Sequence, residues 1–126
     1  MSLKTQLAVV RGLGSAKNGT HHWWGQRVTA VALVPLTLWF VYSVIMLTGA
    51  GYAEVAGWLA SPLNTVLMLL LIAATFHHVQ LGLQVVIEDY IHTEITKLTT
   101  LLFVKFASVA LAVASAYAVL KIALGA

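Results

Sequence analysis

Three long stretches of this chain are uncharged or nearly so, and each could cross a bilayer core, which takes about 20 helical residues. The first runs from Val28 to Leu47, the second from about Val66 to Ile87, and the third from about Leu98 to Leu124. Lys105 and Lys121 lie towards the ends of the third, where their stems can snorkel to the interface. Gly49, Gly51, Ser61 and Pro62 punctuate the first connection, and the second, Glu88 to Lys97, is short and polar. Pro35 falls inside the first span, where neighbouring helices can satisfy the carbonyl it frees. The pattern predicts an all-α integral membrane protein with three transmembrane helices, residues 1–126 forming a single domain.

Composition agrees. Only 9% of the 126 residues are charged and 60% are apolar, against about 25% charged in a soluble domain, so the chain cannot cover an aqueous surface. Cysteine is absent, which removes thiol catalysis, disulfides and iron–sulfur ligation and leaves redox chemistry to a bound cofactor or a partner. The net charge of +3 does not point to nucleic acid, because Lys4, Arg11, Lys17 and Arg27 all precede the first span with no acid among them. Basic residues beside a span set its orientation. With the amino terminus inside, the inner side holds those four and Lys97, with Lys105 close by, and the far side holds Lys121 alone. The expected topology is therefore amino terminus cytoplasmic and carboxyl terminus periplasmic. Residues 1–27 form the expected cytoplasmic or interfacial segment: the apolar run Leu7–Val10 is too short for a signal peptide and is followed by Arg11. Glycines 12, 14 and 19 point to flexibility there, and a mitochondrial transit peptide is the weaker alternative.

The second span carries the chemistry. It holds Thr75, His77, His78, Gln80 and Gln84, and such residues in hydrocarbon are functional candidates by default because burying them costs several kcal/mol unless something compensates. His78 falls near the middle, where a neutral imidazole suits a metal, above all haem iron. Gly82, four residues on, shares its helical face and could let a flat macrocycle approach the backbone. Asp89, eleven residues after His78, returns to almost the same face roughly 16 Å along the axis, beside Tyr90. His77, Gln84 and Glu88 form a second polar stripe about 100° away. Either histidine could be the ligand. Alternatively both could serve interhelical hydrogen bonds, with Gly82 a packing contact, in a membrane scaffold without cofactor.

Just before the first span stands His21-His22-Trp23-Trp24-Gly25-Gln26-Arg27. The tryptophans read as an interfacial anchor. Arg27, charged at any relevant pH, and His21 could meet haem propionates or the developing negative oxygens of a quinone. Trp39, Tyr42, Trp58 and Tyr117 read as packing or belt residues, and Glu54 as a solvated residue on the far side. No nucleophile–base triad, phosphate-cradling glycine loop or zinc set is present, so soluble hydrolytic or phosphoryl chemistry has no footing.

Lys17-Asn18-Gly19-Thr20-His21-His22-Trp23-Trp24-Gly25-Gln26-Arg27 together with His78-x3-Gly82-x6-Asp89-Tyr90 resembles the hydrophobic membrane anchor of succinate dehydrogenase, complex II. The stretch Gly82-Leu83-Gln84-Val85-Val86-Ile87-Glu88-Asp89-Tyr90 is similar to the alphaproteobacterial and mitochondrial branch in particular, and three spans cover the whole chain in register with that family. The resemblance implies that His78 is one axial ligand of a haem b shared with a second membrane anchor of the cytochrome b type. It implies that Tyr90 donates a hydrogen bond to ubiquinone, that Asp89 supports that site, and that Arg27, with His21 a weaker candidate, serves the haem propionates or the quinone. The implied partners are a flavoprotein subunit, an iron–sulfur subunit, the cytochrome b-type second anchor and the lipid bilayer. The implied location is the bacterial inner membrane in preference to the mitochondrial one. A fumarate reductase anchor working with menaquinol is the related alternative. His77 has no counterpart in the pattern, since the family needs one ligand on this helix.

Overall fold

The structure, a computed structural model, describes Gln6 and residues 16–125, with side chains of the first helix described from Gly19 onward. Lys4, Arg11, Gly12, Gly14 and the side chains of Lys17 and Asn18 lie outside the described residues. Over described residues 16–125, four helices follow one another: α1 (Ala16–Met46), α2 (Tyr52–Ala60), α3 (Pro62–Tyr90) and α4 (Glu94–Ala123). Three of them, α1, α3 and α4, are long and apolar enough to cross a membrane. They run 31, 29 and 30 residues, so each is roughly 45 Å long and overreaches a hydrocarbon core of about 30 Å by several turns.

That overreach is greatest at the amino-terminal end. α1 begins at Ala16, roughly three turns ahead of the expected start at Val28, so the later part of the segment expected to be flexible is helical. Gly19 and Gly25 each cost a helix about 1 kcal/mol relative to alanine. Tertiary contacts of His22 and Gly25 with α3 offset that cost. Pro35 is accommodated within α1.

Gly49, at φ 85°, takes the left-handed conformation in the turn just after α1. α2 then forms inside that connection. Glu54, expected to be solvated, accepts a hydrogen bond from the Gly51 N–H at 3.2 Å and caps the start of α2. At the other end, Asn64 Nδ2 donates to the Trp58 carbonyl at 2.8 Å and Thr65 Oγ1 to the Leu59 carbonyl at 2.6 Å. Ser61 alone separates α2 from α3, whose first position is Pro62, where a missing N–H costs nothing. Trp58 stacks on Trp39 of α1, ring centroids 5.6 Å apart and planes 20° from parallel.

α3 is the central helix. It packs against α1 on one flank and α4 on the other, while α1 and α4 do not pack on each other among the described residues. Residues rising along α1 meet residues falling along α3, so the two are antiparallel. Among the described residues little apolar surface is enclosed: the buried hydrophobics are Leu59, Leu81 and Ile87, and the buried polar residues Thr29, Ser43 and Ser108. Lipid tails are as apolar as leucine, so membrane helices gain by close approach at small residues and by hydrogen bonds between helices. The contacts of α1 with α3 follow that rule.

Candidate functional site

Because α3 is unbroken from Pro62 to Tyr90, His78, Gly82 and Asp89 fall within about 40° of one another around its axis. His78 points at α1. Its Nδ1 lies 2.9 Å from Oγ1 of Thr29, which is only 9% exposed. The same hydroxyl lies 2.6 Å from the Gly25 carbonyl and 3.2 Å from that of Gln26. Nε2, the other ring nitrogen of His78, has no hydrogen-bond partner among the described residues. The ring also lines a 430 Å³ groove whose other walls are Ala30, Leu33, Val34, Thr37 and Leu38 of α1.

His77 lines a different cavity, one of 140 Å³ between α3 and α4, beside Phe76, Gln80 and Ser108. The two adjacent imidazoles, offset by about 100°, thus line different cavities, although His77 Nε2 also comes near Gly25 of α1. Gln80, Gln84 and Lys105 line a further cavity of 240 Å³ on the α4 flank, and Gln84 Nε2 donates to Glu88 Oε1 at 3.0 Å.

Three residues that the sequence reading did not single out hold α1 against α3. His22 Nε2 lies 3.1 Å from the Leu81 carbonyl, Thr29 meets His78, and Gly25 gives the closest approach. A Cβ added at Gly25 would sit 2.9 Å from Leu81 Cδ1 and 3.7 Å from His77 Nε2. At Gly82, by contrast, the nearest atom to an added Cβ would be Gln26 Nε2, at an ordinary 3.6 Å, so the tight glycine is Gly25. The spacing 22, 25, 29 is the signal that carries this face: three small or polar residues at helical intervals. It is readable only once the segment before Val28 is known to be helical. Gln26 Oε1 is buried without a hydrogen-bond partner.

Arg27 is exposed, and its guanidinium carbon lies 5.4 Å from the centre of the Trp23 ring, which stands edge-on to Trp24. It precedes Ala30 and Val34 by three and seven residues and so shares the helical face that lines the His78 groove. His21, also exposed, lies about 120° around α1 from Arg27, on the side of Gly25. Asp89 and Tyr90 close α3, both exposed, Tyr90 at 78%, without a hydrogen bond to described residues. Past them, Lys97 pairs with Glu94 at 3.7 Å. No cluster of three histidine, cysteine or acidic side chains forms among the described residues.

The model for the succinate dehydrogenase/fumarate reductase transmembrane subunit matches residues 1–116. The chain belongs to that family. Among curated relatives of this transmembrane subunit, the succinate dehydrogenase hydrophobic membrane anchor subunit of Rickettsia bellii is 34% identical over 116 residues, 92% of this chain and 93% of the relative. The anchor subunit of the same description from Paracoccus denitrificans is 30% identical over 122 residues, 97% of this chain and 94% of the relative. The succinate dehydrogenase membrane anchor subunit of Reclinomonas americana is 27% identical over 92 residues, 71% and 77% of the two chains. These relatives agree with the resemblance to the alphaproteobacterial branch. The chain is a multi-pass transmembrane subunit of the succinate dehydrogenase type.

Proposed function

We propose that this subunit anchors a succinate:ubiquinone oxidoreductase in the bacterial cytoplasmic membrane, supplies one axial ligand of a haem b through His78, and builds part of the ubiquinone site with Asp89 and Tyr90. The observation that carries the reading is the state of the His78 ring. One nitrogen is engaged by Thr29, the other has no partner among the described residues, and the ring lines a groove walled by Ala30, Leu33, Val34, Leu38 and one hydroxyl residue, Thr37. An imidazole nitrogen with no hydrogen-bond partner, deep in a membrane, is costly unless it binds something. A single histidine also suits a haem shared between two chains, the second ligand coming from a companion anchor.

A bound haem b would supply a one-electron store close to the quinone. Arg27, on the groove's face of α1, would set a fixed positive charge against propionates, and His21, further around the helix, is the weaker candidate. At the end of the His78 stripe, the Tyr90 hydroxyl would donate a hydrogen bond to a quinone carbonyl, holding the head where negative charge develops on reduction. Asp89 would orient that site. The amino-terminal end of α1 and the Asp89–Tyr90 end of α3 come together through antiparallel packing. The lysines and arginines before the first span support a cytoplasmic placement of that end. There the anchor would seat an iron–sulfur protein and, through it, a flavoprotein that oxidises succinate. It would itself bind neither succinate nor flavin. Relatives named as succinate dehydrogenase anchors support the succinate-oxidising direction over fumarate reduction with menaquinol.

The test is optical. The purified wild-type complex should show a b-type Soret band that survives His77→Ala and disappears in His78→Ala. A colourless wild-type complex would leave only the cofactor-free scaffold.

A further inference from the structure

We infer that Thr29 is the positioning residue for the His78 ring: its hydroxyl accepts the Nδ1 hydrogen of His78 and so fixes the tautomer whose Nε2 lone pair is open. This rests on the reading of His78 as the haem ligand and adds to it the residue that aims and tunes that ligand. A threonine hydroxyl has one hydrogen to give and two lone pairs to receive with. Its oxygen lies 2.6 Å from the Gly25 carbonyl, 3.2 Å from the Gln26 carbonyl and 2.9 Å from His78 Nδ1. Carbonyl oxygens only accept, and two oxygens at 2.6 Å without a hydrogen between them would repel. The hydroxyl hydrogen therefore goes to Gly25, at the short end of the O–H···O range. What Thr29 has left for His78 is a lone pair. The 2.9 Å separation is the ordinary length of an N–H···O bond, so Nδ1 carries the hydrogen of the neutral ring and Nε2 carries none.

Two consequences follow for the ring. First, a chain of bonds from the α1 backbone through Thr29 to His78 fixes the imidazole plane, and burial of Thr29 keeps water from competing for it. Second, an acceptor on Nδ1–H makes the ring a stronger electron donor through Nε2. A stronger donor favours ferric over ferrous iron and lowers the reduction potential of the metal it holds.

The experiment compares Thr29→Val, which keeps the shape and loses the hydroxyl, with Thr29→Ser, which keeps the hydroxyl, in the purified complex. Haem content, the electron paramagnetic resonance spectrum of the ferric form and the midpoint potential are read, alongside succinate oxidation by a soluble acceptor as the check on assembly. Thr29→Val is expected to weaken haem retention about tenfold or more and to raise the potential of the haem that remains. A tenfold change in the ferric-to-ferrous ratio at fixed poise corresponds to about 59 mV. Thr29→Ser is expected to behave as wild type. If Thr29→Val leaves content, spectrum and potential unchanged, the inference is wrong and the ligand reading stands. If Thr29→Ser is as impaired as Thr29→Val, the methyl group's packing is what matters, and the inference is again wrong. Haem that survives His78→Ala, or is missing from the wild type, would instead overturn the ligand reading itself.

Discussion

The Nε2 of His22 donates a hydrogen bond to the main-chain carbonyl of Leu81 at 3.1 Å, joining residues 59 positions apart. The carbonyl has no hydrogen to give, so the direction is fixed. Leu81 lies between His78 and Gln84 on α3, and the bond ties α1 to α3 about one turn along α3, and two along α1, from the Thr29–His78 contact. His22→Phe should keep the ring volume and lose the bond. The expected cost is about 0.6 kcal/mol and at most roughly 1.7 kcal/mol, the range found for hydrogen bonds between membrane helices. Denaturant titration of the complex in detergent measures it, and an unchanged midpoint would show that the bond is replaced by solvent or lipid.

Gly25 should tolerate little. A methyl there meets Leu81 Cδ1 at 2.9 Å, the end of a side chain that can still move a few tenths of an ångström. Gly25→Ala is expected to be mild and to couple to Leu81→Val, which withdraws the clashing atom; a double-mutant cycle in thermal stability should give a coupling of about 0.5 kcal/mol or more. Gly25→Val should wedge the helices apart and separate Thr29 from His78, with loss of haem from an otherwise assembled complex. Additive effects in the cycle would mean that the two residues do not touch.

Tyr90→Phe removes one hydroxyl, exposed and without a hydrogen bond to described residues, so folding should be untouched. Ubiquinone reduction should fall about tenfold, the effect of one hydrogen bond worth roughly 1.4 kcal/mol, while succinate oxidation by an artificial soluble acceptor stays near wild type. Equal loss of both activities would point to misassembly and remove Tyr90 from the quinone site.

Gln26 is the reverse case, a polar group whose removal should help. Its Oε1 is buried with no partner, and an unsatisfied buried acceptor costs about 1–3 kcal/mol. Gln26→Leu is expected to leave stability unchanged or to raise it, by thermal dissociation of the complex. A clear drop would mean that Oε1 finds a donor on another chain of the complex.

Much of this was legible in the residues. Hydrocarbon admits only backbone that satisfies itself within a helix or a closed barrel, so the apolar runs near Val28, Val66 and Leu98 dictated three membrane-length helices. Once α3 was a helix, its 3.6-residue period put His78, Gly82 and Asp89 on one stripe and His77 on another without any tertiary information. One local reading fell short. Glycines 12, 14 and 19 suggested a flexible segment, yet Gly19 lies inside α1. Glu54 is exposed, as expected, and also caps a short helix that the connection's composition did not announce.

What separated His77 from His78 was the register of α1, which sets the Thr29 hydroxyl against His78 and only Gly25, with no side chain, near His77. Nothing local in the sequence contains that choice. In a soluble protein the apolar stripe of a helix shows which face turns inward. In lipid every face is apolar, so the facing is set by close approach and by hydrogen bonds between residues some 50 positions apart. The chain's order therefore determined that it crosses a membrane and which polar groups it carries across. Only the packed helices decided which of those groups are paired with each other and which are left open to a ligand.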